Sequence, residues 1–452
     1  MKIAHVAPLY ESVPPRQYGG TERVISTLTE ELSFMGLEVT VFATADSVVH
    51  GELVPCREMP LTAGSGDQIE AAEHLLELDR VVRQFDDFDI VHFHTRFLHF
   101  PLFEDVARRT VTTCHMRVDT PELSRFYARY RAFPLIALSE AQRRTRPGAN
   151  WADVIPHGYP RDHLPAYNRP EAKDGYLAFL GRISPEKGVL DAIRIARAAG
   201  RQLRIAARIN KVDQEFWEAR VAPEIDGEQI QFLGEIGDPQ KPEFLNGAAG
   251  LIFPIQWPEP FGLVMIEAMA CGTPVIGYNC GSVPEVIDDF RSGFVVKDVD
   301  SAAAAVGRLA SLDRAEVRRC FEERFSSRVM AERHVKLYSE IIEGRLHRRS
   351  GPRIRRRGRS HPGPARSLSD RRTPNPRGAI LVDYVVDARD GSLLMRRELT
   401  DWDAYSYRVF ADEAAPHRPV DSPFGDTTPD PLGRPVDGLL PPFTAQGMIT
   451  LE

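Results

Sequence analysis

The sequence predicts an α/β protein of two doubly wound domains facing each other across a cleft, followed by a disordered linker and a small tail of unknown fold. Three observations predict it. Short apolar runs alternate with longer amphipathic stretches, the rhythm of repeated βα units around parallel sheets. That rhythm breaks in the polar, Pro-containing segment His157–Lys173 and then restarts. It stops after Gly344.

In the first domain, 1–160, the apolar runs Ile3–Val6, Val39–Ala43, Ile90–Val91, Val111–Thr113, Leu135–Leu138 and Val154–Ile155 read as strands. Thr21–Met35 reads as a helix closed by Gly36, with further helices expected over Gln68–Gln84 and Pro121–Arg131. In the second domain, 161–344, strands are expected at Tyr176–Leu180, Leu203–Ala207, Ile230–Leu233, Leu251–Pro254, Val275–Gly277 and Phe294–Val296. Helices at Gly188–Ala199, Asp213–Val221, Phe261–Ala270 and Ser301–Leu309 alternate with them, and Arg328–Glu343 is the last. Two such sheets bind ligands in the crevice outside the carboxyl ends of their strands.

Composition draws the remaining boundaries. The 452 residues carry a net charge of −7, spread in three regimes. Twelve Arg and one Asp fall within Arg345–Arg377, whereas six Arg face thirteen acidic residues from Gly378 onward. The basic strap has almost no apolar side chain to bury, so it reads as disordered. Within the tail, 378–452, Ala379–Val386 and Ser406–Phe410 read as strands. Five cysteines without a CxxC pair point to reduced thiols in the cytoplasm, not a zinc site or disulfide framework. No secretory leader is evident, and no run approaches the length of a membrane span. The acidic body argues against dedicated nucleic-acid binding; the strap is a candidate contact for anions or the inner membrane surface.

Three segments carry chemistry. Tyr18-Gly19-Gly20-Thr21-Glu22 opens a helix after the first strand, either as a plain tight turn or as a loop whose N–H groups meet a phosphate. Gly181-Arg182 ends a strand and Glu186-Lys187-Gly188 opens the next helix. Two cations at that edge are solvated loop charges or partners for a diphosphate. The sharpest segment is Glu259-Pro260-Phe261-Gly262-Leu263-Val264-Met265-Ile266-Glu267-Ala268-Met269-Ala270. A loop carries Glu259, a helix starts near Phe261 and Glu267 sits about two turns in, which at about 1.5 Å per residue sets the two carboxylates roughly 12 Å apart along the axis. That is about the span from a donor sugar to its nucleotide's ribose. Glu267 lies within an otherwise apolar helix, so it either binds a ligand or is capped by backbone.

These segments resemble glycosyltransferase family 4, over residues 1 to about 344. The resemblance implies the GT-B fold of two facing Rossmann-like domains. It also implies retaining transfer of a hexose-type sugar, such as that of a UDP-sugar, to an unidentified acceptor hydroxyl, a small molecule, glycan or lipid-linked. Glu259 would then hold sugar hydroxyls and Glu267 the ribose. Arg182 and Lys187 would neutralise the diphosphate, and Gly19 and Gly20 would bring backbone N–H groups to it. Phe261, Gly262 and Leu263 belong to the same donor-binding stretch. His115, after the strand ending Thr112-Thr113-Cys114, matches a family His that touches the donor sugar, although Met116 follows where a small residue is common; a structural His is the other reading. Arg208 sits where the family usually has Lys. His92 and His94 are weaker candidates. By the same resemblance the acceptor attacks from the face the phosphate leaves, and that phosphate takes its proton. No metal or other cofactor is expected: Asp87-Phe88-Asp89 has the spelling of a cation-binding motif but directly precedes a strand and reads as a solvated turn. A nucleotide-sugar 2-epimerase shares this fold and is the alternative.

Overall fold

The computed structural model describes residues 1–16, 19–61, 66–165 and 175–345, and the backbone of 381–386 and 393–399. The chain divides into two units, Met1–Ile354 and Arg355–Glu452.

The first unit holds two parallel sheets. In the first lobe, β1 (Lys2–Val6), β2 (Glu38–Thr44), β3 (Glu52–Arg57), β4 (Ile90–Phe93), β5 (Thr110–Thr113), β6 (Leu135–Ala137) and β7 (Trp151–Val154) lie in the order 3-2-1-4-5-6-7. Helices α1 (Gly20–Phe34), α2 (Asp67–Gln84), α3 (Leu123–Arg129) and α4 (Glu140–Thr145) connect them. In the second lobe, β8 (Tyr176–Arg182), β9 (Leu203–Arg208), β10 (Ile230–Gly234), β11 (Ala248–Phe253), β12 (Val275–Tyr278) and β13 (Gly293–Val296) lie in the order 10-9-8-11-12-13. This is the order of a dinucleotide-binding sheet, with its switch point between β8 and β11. Its helices are α5 (Val189–Ala198), α6 (Gln214–Phe216), α7 (Lys241–Asn246), α8 (Leu263–Ala270), α9 (Val283–Val286), α10 (Val299–Val306) and α11 (Arg314–Arg324). Every strand pair in both sheets is parallel. Each sheet is buried on both faces, which is why its strands read as continuous apolar runs.

The last helix, α12 (Ser327–Ile342), corrects the expected domain map. The sequence assigns it to the second domain, but its buried face, Met330, Ala331, Leu337, Tyr338 and Ile341, joins the core of the first lobe. Ser327 Oγ donates to Glu31 of α1, and Arg333 donates to the Val154 carbonyl, both at 2.5 Å. The helix therefore crosses back and caps the first sheet. The helix expected over 213–221 is also broken: three α-helical residues widen into a π-helical turn over Trp217–Val221, just ahead of Pro223, which has no N–H to give.

In the second unit β14 (Leu381–Val386) pairs antiparallel with β15 (Leu393–Leu399). The linker expected at 345–377, apart from Arg345, and the strand expected at 406–410 lie outside the described residues. Among those described, no helix is long and apolar enough to cross a membrane.

Candidate active site

Site residues cluster at the carboxyl ends of β8, β9 and β11, as the switch-point rule requires. Arg182 closes β8, and one guanidinium nitrogen donates to Glu186 at 2.5 Å. Its Nε and Asp213 Oδ2 lie 3.8 Å apart, both buried and without a hydrogen bond. That leaves a desolvated donor and acceptor open to a ligand. Lys187, at the end of a short turn before α5, reaches across to β11's loop, where its Nζ is 2.5 Å from Glu259 Oε2. Trp257 Nε1 donates to the same oxygen at 2.6 Å. The loop is seated against Gly281, whose φ of +56° and missing Cβ let the Glu259 backbone approach: a Cβ would lie 2.5 Å from its N and O.

Glu267 sits in the second turn of α8 and is 3% exposed. Lys241 of α7 answers it at 2.7 Å, lies 3.1 Å from Asp238, and Asp238 pairs with Arg23 of α1 in the first lobe. A chain of four charges thus runs from α1 across the cleft to Glu267. The two helix N-termini meet beside it: a Cβ added to Gly20, the first residue of α1, would lie 3.3 Å from Leu263 Cδ1, the first residue of α8. Gly19 caps α1 and Gly262 caps α8, and neither helix has a side-chain cap, so free backbone N–H groups of two helix starts converge here.

The first lobe contributes His115, after β5. Its Nε2 is 2.9 Å from His94 Nδ1, and its Nδ1 is buried without a partner. Its ring stacks on His157, centroids 5.1 Å apart, and His157 meets the Phe261 ring edge-on at 5.2 Å. Burial pushes the His115 imidazole down to about 3, with His334 adding to it, so the ring is neutral. Arg208, at the end of β9, has Nη1 3.9 Å from Glu11 Oε1 in the loop after β1. Glu22, in the first turn of α1, is pushed up to about 7 by burial.

Of the expected donor-binding residues, Glu259, Glu267, Arg182, Lys187, Gly19, Gly20, Gly262, Leu263, Arg208 and His115 are gathered on these facing edges. Phe261 differs: its side chain is 2% exposed and packs on His157 and Phe325, so it braces the loop from within the core. Glu259 lies in the loop expected for it, four residues before α8, which begins at Leu263, two residues later than expected. Asp87 and Asp89 are exposed at the amino end of β4, where Asp89 accepts from the Lys2 N–H at 2.8 Å. The sequence reading missed Lys241, Asp238, Asp213, Trp257 and His157 as members; only Trp257, beside Glu259, carried a signal. Among the described residues His5, His92 and His94 bring ligand atoms within 4.8 Å of one another, a possible metal set. Their nitrogens, His5 Nε2 excepted, are already bonded to imidazole or hydroxyl partners.

Two nucleotide-binding-type sheets with basic groups and carboxylates on facing edges define the GT-B architecture. The sequence matches the family described as Glycosyltransferase Family 4 over residues 18–161 and that described as Glycosyl transferases group 1 over 161–324. Phosphatidyl-myo-inositol mannosyltransferase of Mycobacterium leprae is 26% identical over 339 residues, covering 69% of this chain and 87% of its own. AviGT4, a glycosyltransferase involved in avilamycin A biosynthesis, superposes with a TM-score of 0.61 at 26% identity, over 76% of this chain and 98% of its own. Anabaena HepE in complex with UDP-glucose superposes at 0.59 and 18% identity, over 75% and 100%. The protein is a glycosyltransferase. It belongs to glycosyltransferase family 4.

Proposed function

We propose that the protein moves a hexose from a nucleotide-diphosphate sugar to an acceptor hydroxyl, retaining the anomeric configuration and using no metal. The observation that carries this reading is the meeting of α1 and α8 N-termini at Gly20 and Leu263, with Arg182 and Lys187 on the same edge. Converging helix dipoles and two cations suit a diphosphate and stabilise it as a leaving group, which is the task a divalent ion performs elsewhere. Arg182 supplies its Nε, which makes no hydrogen bond within the protein. Lys187, held by Glu259, supplies the second positive charge. Glu267 takes the ribose hydroxyls and Glu259 the sugar hydroxyls, as acceptors of strong hydrogen bonds.

Glu259 Oε2 already accepts from Lys187 and Trp257, which suits a fixed binding group better than a covalent nucleophile. Same-face attack follows. The acceptor oxygen bonds to the anomeric carbon as the bond to the phosphate oxygen breaks, and that oxygen takes the acceptor's proton. The mannosyltransferase relative favours a mannosyl donor, and UDP-glucose, which HepE binds in the same fold, is the second donor to try. The five free cysteines suit a cytoplasmic setting.

The test is turnover of UDP-glucose, GDP-mannose and ADP-glucose with EDTA present, reading the product anomer by NMR. The α-anomer from an α-linked donor, at undiminished rate in EDTA, is expected. A rate that EDTA abolishes and Mg²⁺ restores, or an inverted product, overturns the reading.

A further inference from the structure

His5 lies on β1, His92 lies on β4 and His94 directly follows that strand; the strands pair with His5 opposite His92, and the His92 and His94 rings lie 4.1 Å apart, so all three side chains share one sheet face. α12 covers that face with His334 and Tyr338, each within ring contact of His92. His92 is closed off there, with Tyr338 Oη at 2.7 Å from Nδ1 and Thr113 Oγ1 at 2.7 Å from Nε2. The other rings continue in a line toward the cleft. His5 Nδ1 is 3.0 Å from His94 Nε2, and His94 Nδ1 is 2.9 Å from His115 Nε2. Only the two ends, His5 Nε2 and His115 Nδ1, are buried without a hydrogen bond.

Burial holds these rings neutral. A neutral imidazole has one N–H, so each bond between two of them needs one donor and one acceptor. His94 has a single proton for two neighbours; if it donates to one, the other must donate to it. All three rings therefore carry their proton at the same position, all on Nδ1 or all on Nε2.

We infer that His94 and His5 are positioning residues for His115. The line fixes the His115 ring through Nε2, leaves Nδ1 as the nitrogen that meets the substrate, and ties its donor or acceptor state to His5 two rings away. A sugar hydroxyl both donates and accepts, so it fits either state, but the state is shared by the line. The inference rests on the reading of His115 as a donor-sugar contact.

The test is imidazole ¹H–¹⁵N correlation spectroscopy on the full chain with ¹⁵N-labelled histidine, which tells Nδ1–H from Nε2–H. The expected spectrum shows one tautomer, the same in His5, His94 and His115. His94→Phe should leave His115 averaging between tautomers, and His5→Phe should also shift the His115 nitrogens, two rings away. A wild-type spectrum in which one of the three differs, or His115 signals unmoved in both variants, overturns the proposal. Where the Phe variants do not fold, the wild-type spectrum decides alone. His115→Ala tests the underlying reading separately. Unchanged KM and kcat with whichever of UDP-glucose, GDP-mannose or ADP-glucose is turned over removes His115 from the donor site and overturns the substrate-facing part, while the shared tautomer is judged on the spectra.

Discussion

Glu267 is the most deeply buried carboxylate of the site, and Lys241 is its counter-ion. Removing one partner of a buried pair leaves an uncompensated charge, which costs about 3–5 kcal/mol. Lys241 is 12% exposed, so the lower end applies. Lys241→Met should therefore lower stability to denaturant by about 3 kcal/mol. Adding Glu267→Gln to it should restore part of the loss; a double variant as unstable as the single would show that the pair is not what Lys241 supports. Glu267 was legible in the sequence because a carboxylate inside an apolar helix needs a reason, and Glu259 by its place in the loop just before that helix. Lys241 was not, since it sits 26 residues upstream at the start of α7 and meets Glu267 only when α7 packs on α8. His115 was legible by its place after β5. The line behind it was only half so: His92 and His94 stood out as a pair, but nothing local ties them to His5, 89 residues from His94.

Between the first sheet and α12 lies a polar layer that a parallel α/β core does not ordinarily contain. His5 and His115 are pushed down to about 3 and His334 to about 4 by burial, and His92, His94 and His157 well below the usual value. A histidine whose folded value is depressed binds its proton in the unfolded chain first. Its contribution is complete above the unfolded value of about 6.5 and is lost progressively as pH falls toward the folded one. Thermal melts should therefore lose midpoint steadily from about pH 6.5 toward pH 4, and His334→Gln should flatten that slope; a midpoint flat across this range contradicts a neutral layer. At this scale the sequence predicted every strand of the second lobe, because buried parallel strands read as apolar runs, and even the half-buried edge strand β10 keeps Ile230, Phe232 and Leu233. It missed β3, an edge strand with Pro55 and mostly half-buried side chains, which needs no continuous apolar run. It also placed α12 in the wrong lobe. An amphipathic pattern reveals that a helix has a buried face, not which sheet receives it.

For the molecule as a whole, α12 sets where the catalytic unit ends. Truncation to 1–344 keeps that helix and should leave a cooperative melt and full donor turnover, whereas truncation to 1–326 should unfold the first lobe; an inactive or insoluble 1–344 would place residues beyond it in the working unit. Two lobes and the acidic and basic regimes were readable from rhythm and charge alone, while the charge chain from Arg23 through Asp238 and Lys241 to Glu267 exists only once the lobes face each other. The central claim is that those facing edges form a nucleotide-diphosphate site with Glu267 at the ribose and Glu259 at the sugar. Calorimetric titration of UDP, GDP and ADP into the wild type, Glu267→Ala and Glu259→Ala tests it most directly. Losing hydrogen bonds to a charged group costs about 1.5–3 kcal/mol. The preferred nucleotide should thus bind about 10- to 100-fold more weakly to Glu267→Ala, and with little change to Glu259→Ala, whose defect should lie in turnover. Unchanged nucleotide affinity in folded Glu267→Ala would contradict the account.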